Sequence, residues 1–181
     1  MRIFKRIIYL LLFPAKEWKT IAAENNNRKT VYVQFVVPLL CMITIATIAG
    51  TWFSTSRELY SAGYVFSKIG TLWVSLSAGL FVSAFCVSGI TEEKNRDFEL
   101  ITYSLAATYL VIIIVSLFPF FPEFLVLAFY SFYLFWQGIP HLISVESERR
   151  MKYGLLSLTI TVLVHSLMYF LFSNIFKAIF L

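Results

Sequence analysis

The chain is 181 residues long, 59% hydrophobic and 18% aromatic, with only 14% charged residues, a net charge of +5 and a mean hydropathy of +0.78. A soluble domain carries about 25% charged residues, and 19 Phe and 10 Tyr exceed what a water-soluble globule of this size can hide. Disorder and an ordinary soluble domain are both excluded, and an all-α, polytopic membrane protein fits.

Residues 1–30 read as a cytoplasmic N-terminal amphipathic segment of two interfacial helices. In the first, Arg2, Lys5, Arg6 and Tyr9 recur at helical spacing among Ile, Leu and Phe, a basic face suited to anionic headgroups. The basic start and short apolar run imitate a signal peptide. Pro14-Ala15-Lys16-Glu17-Trp18 stands where a small-residue cleavage site belongs, so the segment is expected to be retained. Pro14 opens the second helix, Trp18 and Ile21 share its apolar face, and Asn25-Asn26-Asn27 ends it.

Residues 31–181 read as a five-span transmembrane domain, with spans at about 31–53, 69–90, 100–118, 122–145 and 153–176. The break at 54–68 carries Arg57, Glu58 and Lys68, and those at 91–100 and 145–152 hold several charges. Without a turn at Phe118-Pro119-Phe120-Phe121-Pro122-Glu123, residues 100–145 would form one helix about 69 Å long, so the two prolines mark a tight turn. Sorting the 15 basic residues over the two sides puts 12 with the N-terminus and 3 opposite. That bias predicts a cytoplasmic N-terminus and an external C-terminus, as in a bacterial inner membrane.

Polar and small residues inside the spans are the candidate site residues. Ser75, Gly79 and Ser83 form a small-residue stripe that lets another helix approach closely, within the bundle or between subunits. His165 falls mid-span with Thr161 and Tyr169 one turn to either side, and is expected to be neutral and hydrogen-bonded to a neighbouring helix. Pro38 and Pro140 each release a carbonyl four residues back, those of Gln34 and Trp136, and read as simple helix kinks or, alternatively, as the mark of a shallow polar vestibule floored by Gln34, Gln137 and His141. Glu92, Glu93, Asp97 and Glu99 read as a solvated loop with local ion pairs. Cys41 and Cys86 lie at different depths and are not expected to pair.

The chain has no HExxH, GxSxG, CxxC, glycine-rich phosphate loop or paired intramembrane aspartates, so no enzyme, no cofactor and no metal site is expected, and nothing points to nucleic acid. The favoured reading is a non-enzymatic protein acting on its cytoplasmic face through lipid, a membrane-protein partner or a second copy of itself. The alternative is a small-solute or lipid transporter working as an oligomer, its conduit lined by His165, Thr161, Tyr169 and Gln34. A metal enzyme using His141 and nearby carboxylates is a weaker third.

The string Tyr130-Ser131-Phe132-Tyr133-Leu134-Phe135-Trp136-Gln137-Gly138-Ile139-Pro140 resembles the fourth-span signature of bacterial members of the Yip (Ypt-interacting protein) domain family. Leu100-Ile101-Thr102-Tyr103-Ser104 resembles that family's entry to the third span, and Leu117 to Pro122 its proline-containing outer turn. Pro14-Ala15-Lys16-Glu17-Trp18, with Ile21 and Glu24, is similar to the segment that precedes the bundle. The resemblance marks Trp18, Tyr103, Tyr130, Gly138 and Pro140 as motif residues and implies a five-helix membrane bundle with a cytoplasmic N-terminus. Members commonly carry a proline soon after the third-span Tyr-Ser, where this chain has Leu105-Ala106-Ala107-Thr108. Eukaryotic members are linked to Rab-type GTPases and vesicle traffic, a role not expected of this chain.

Overall fold

The computed structural model describes residues 2–24, 26–53, 62–91 and 93–180, so Arg57, Glu58, Glu92 and Asn25 lie outside the described residues. Every regular element among the described residues is helical. Helix α1 spans Arg2–Leu12 and α2 Pro14–Glu24, and they are joined only by Phe13, whose carbonyl accepts the Lys16 and Glu17 amides at 3.1 Å. Pro14 suits the first position of α2 because the amide it lacks would have had no intrahelical partner. Asn27 then caps α3 (Arg28–Val31), its Oδ1 accepting from the Thr30 amide at 3.1 Å.

The chain continues without a break through a π-helical turn, Tyr32–Val36, into α4 (Val37–Phe53). Pro38 explains that turn. It offers no amide to the Gln34 carbonyl, and the helix widens just before it, with the Val37 amide reaching back to Tyr32. Helix α5 covers Ala62–Thr91, and α6 (Lys94–Ser104) and α7 (Ala106–Leu117) are nearly continuous through Leu105. Leu105 itself stands at φ −72° and ψ 0° between the two helices. A turn at 118–121 leads to a 3-10 segment, Pro122–Phe129, then α8 (Tyr130–Leu142) and α9 (Ser147–Phe180).

Four of these helices are long and apolar enough to cross a membrane: Arg28–Thr51, Ala62–Thr91, Lys94–Leu117 and Ser147–Phe180. The expected span at 122–145 is the exception, being divided between 3-10 and α geometry and ending at Leu142. At about 2.0 Å rise per 3-10 residue and 1.5 Å per α residue, 122–142 still extends roughly 35 Å.

Side-chain pairs fix the directions. Arg28 Nε donates to the Lys94 carbonyl at 3.1 Å, and a Cβ on Gly50 would fall 1.9 Å from the Ser116 carbonyl oxygen, so α3–α4 and α6–α7 run parallel. Trp73 Nε1 donates to Thr44 Oγ1 at 2.7 Å and the Tyr32 hydroxyl meets Ser77 Oγ at 2.8 Å, so α5 runs opposite to α4. Thr108 meets Ser131 at 2.8 Å and Leu100 lies against Gly138, so 122–142 runs opposite to α6–α7. Gly70 faces Phe176 and Gly79 faces His165, so α9 runs opposite to α5. The five segments thus alternate. Arg28, Thr91, Lys94 and Tyr153 gather at one end of the bundle; Gly50, Phe66, Ser116 and Phe180 gather at the other.

One core joins the N-terminal segment to the bundle, for Ile7, Leu10, Trp18 and Ile21 share a cluster with Leu39, Leu80, Ile101 and Phe135. The α1–α2 hairpin does not lie flat at the bundle's end, as an interfacial pair would. The Tyr130 hydroxyl donates to the Leu11 carbonyl at 2.8 Å, and Trp18 lies against Gly138. The hairpin therefore stands along the bundle wall, its tip reaching the middle of segment 122–142. Its outer face is apolar, with Phe4, Ile8 and Leu12 all more than half exposed.

Candidate functional site

The motif residues converge on the hairpin's docking. Trp18 is fully buried, its ring edge-on to Tyr103 at 6.4 Å and 81°, and Tyr103 in turn meets Phe35 at 4.8 Å. A Cβ on Gly138 would fall 2.8 Å from the Trp18 ring and 2.5 Å from Leu100, so only glycine leaves room for that indole. Tyr130 holds the end of α1 through Leu11, and Pro140 sits inside the last turn of α8.

Between hairpin and first span lies a cavity of about 610 Å³, whose walls include Lys5, Arg6, Lys16, Glu17, Glu24 and Gln34. Arg6 is its hub, donating to Glu17 Oε1 at 3.2 Å, to the Tyr103 hydroxyl at 3.1 Å and to Glu24. Burial alone would disfavour the charge on Arg6, but Glu24 and Tyr103 outweigh it and raise its pKa above the usual arginine value. Lys5 lies over the Tyr9 ring at 5.6 Å, and both Lys5 and Lys16 are exposed at the cavity's edge. Arg2 falls on α1, with its side chain outside the described set.

The acidic string at 91–100 is not a solvated loop. Helix α6 begins at Lys94, and Asp97 and Glu99 are both 0% exposed. Asp97 accepts from the Tyr153 hydroxyl at 2.8 Å and from Thr91. Glu99 accepts from Arg96 at 2.9 Å and from the Asn26 amide at 3.2 Å, while Arg96 also donates to the Ala22 carbonyl at 3.0 Å. These carboxylates tie the end of α2 and the start of α9 to α6. Buried charges persist only with such partners. The sequence reading missed this role, and the helical phase that carries Asp97 onto the same face as Ile101 and Ser104 was its one local signal.

The intramembrane candidates fall into separate places. Ser75 and Ser83 are buried inside the chain and Gly79 packs on His165, its absent Cβ leaving room for the imidazole 2.8 Å away. The stripe and the histidine, read separately from sequence, are thus two sides of one helix contact. His165, Thr161 and Tyr169 line a second cavity of about 470 Å³ between α6–α7, segment 122–142 and α9. Gln34 lines the first cavity instead, and the two share no lining residue, so the four do not form one conduit. The vestibule is not assembled either, for Gln137 and His141 are absent from the walls around Gln34. Among the described residues no group of three His, Cys, Asp or Glu stands close enough to hold a metal ion. Cys41 and Cys86 are free and exposed.

A fold that is helical throughout the described residues, with several membrane-length apolar helices, defines an integral membrane protein. The chain belongs to the Yip1 domain family, whose model matches residues 8–170 and so takes in both the hairpin and the bundle. No curated protein and no solved structure matches it.

Proposed function

We propose that the protein works without catalysis, as a membrane-embedded platform whose hairpin-bearing end engages anionic lipid headgroups and a membrane-protein partner or second copy. In this reading the chain is of the bacterial type and sits in the inner membrane. Segment 122–142 completes a fifth crossing, and the hairpin end faces the cytoplasm. The observation that carries it is the cavity bordered by Lys5, Arg6 and Lys16, beside the outward apolar stripe Phe4, Ile8 and Leu12. A stripe of that kind sits among acyl chains while neighbouring lysines reach phosphates at the same depth. Twelve of the fifteen basic residues belonging to this end support the orientation.

The transport alternative keeps His165, Thr161 and Tyr169 but loses Gln34, which opens onto the other cavity. The test is thermal unfolding of the protein in nanodiscs of phosphatidylcholine with and without phosphatidylglycerol. The anionic lipid should raise the melting temperature, an effect that high salt and the double substitution Lys5→Gln, Lys16→Gln should both abolish. Equal melting temperatures in the two lipids would refute the headgroup reading.

A further inference from the structure

We propose that the second cavity is a binding site for an uncharged lipid whose head carries a hydroxyl group, a long-chain alcohol or an acylglycerol. The site lies away from the headgroup cavity and does not depend on that reading. Its walls are chiefly apolar, with Phe132, Leu158 and Val162 among them, and contain no Asp, Glu, Lys or Arg. A phosphate or carboxylate entering it would lose its hydration with no opposite charge in return, which excludes the ionic heads of ordinary phospholipids. Its outer wall is the 3-10 segment, where Leu125 and Phe129 are 50% and 63% exposed at the level of the membrane-length helices. The cavity therefore opens sideways, toward acyl chains.

The polar lining sets the head chemistry. His165 Nδ1 stands 2.9 Å from the Thr161 carbonyl oxygen, which has no proton to give, so Nδ1 carries the hydrogen. In the neutral ring Nε2 is then a bare acceptor, and it is buried with no partner. Ser104, another residue of the wall and only 2% exposed, leaves its Oγ equally unpartnered, whereas Thr108 and Ser131 satisfy each other. A hydroxyl-bearing head supplies both missing groups, an O–H for His165 and a lone pair for Ser104. A ketone or ester offers only the second, and a plain acyl chain neither.

The test uses the full chain in phosphatidylcholine vesicles and a diazirine-bearing octadecanol as photoprobe, with 1-oleoylglycerol and octadecyl phosphate as competitors. Labelling is expected on peptides covering 125–135 or 158–169, displaced by 1-oleoylglycerol, with at least roughly tenfold more octadecyl phosphate needed for the same effect. Ser104→Ala and His165→Phe should each raise the required 1-oleoylglycerol concentration by roughly five- to tenfold. Val162→Trp, at a wall position 43% exposed, should fill the cavity and remove the labelling. Labelling elsewhere, equal competition by alcohol and phosphate, or unchanged displacement in Ser104→Ala would each overturn the proposal. Because Ser104→Ala only removes an unpartnered hydroxyl, it serves as the decisive variant even where His165→Phe fails to fold against Gly79.

Discussion

At Asp97 a carboxylate with no solvent exposure is held by one tyrosine and one threonine hydroxyl, from different helices. Tyr153→Phe keeps the ring and removes one of those donors. A hydrogen bond to a charged group contributes about 1.5–3 kcal/mol, so this variant should unfold at a distinctly lower temperature in detergent. An unchanged melting temperature would show that Asp97 does not depend on Tyr153. Such a role was not legible beforehand. The partners of Asp97 and Glu99 include Tyr153, 56 positions away, and Asn26, 73 away, while the string itself mixes acids and bases as a surface loop does. Trp18, Tyr103 and Gly138, which the resemblance marks together, meet around one indole.

Among the elements, four of the five apolar runs fall on helices of membrane length, and the polar breaks at 91–100 and 145–152 proved shorter than their charges implied. Charged residues at 94–100 and 147–152 belong to helix ends, since a helix can project its first turns beyond the apolar zone. The half-3-10 build of segment 122–142 was not readable, because hydrophobicity measures length in residues and says nothing of rise. Nor was the close approach at Gly50, which depends on α7 lying parallel to α4, a relation between elements 66 positions apart. Gly50→Ala would push a methyl group into the Ser116 carbonyl, and overpacking of that kind costs about 1–3 kcal/mol or more. Gly89→Ala meets nothing within 4 Å and should gain up to about 1 kcal/mol of helix propensity. Thermal unfolding of the two variants should therefore move in opposite directions. Matching shifts would mean that α4 and α7 do not touch there.

For the whole molecule, the topology proposed above has an odd number of crossings. Alternating directions put the start of α3 and the end of α9 at opposite ends of the bundle, and the uneven basic residues support the proposal that the first of these faces the cytoplasm. Helix α9 presents Leu163, Leu167 and Phe170 outward along its length, as a helix facing lipid or a second copy does. In the proposed topology segment 122–142 makes the fifth crossing, its two halves differing in geometry but extending together roughly 35 Å. The most direct measurement is impermeant maleimide labelling of single cysteines in intact cells, on a background with Cys41 and Cys86 replaced by serine. Cysteine at Lys5 should be protected until the membrane is opened, whereas cysteine at Lys177 should react from outside at once. Equal protection, or equal reactivity, at both positions would place both termini on one side and contradict the account.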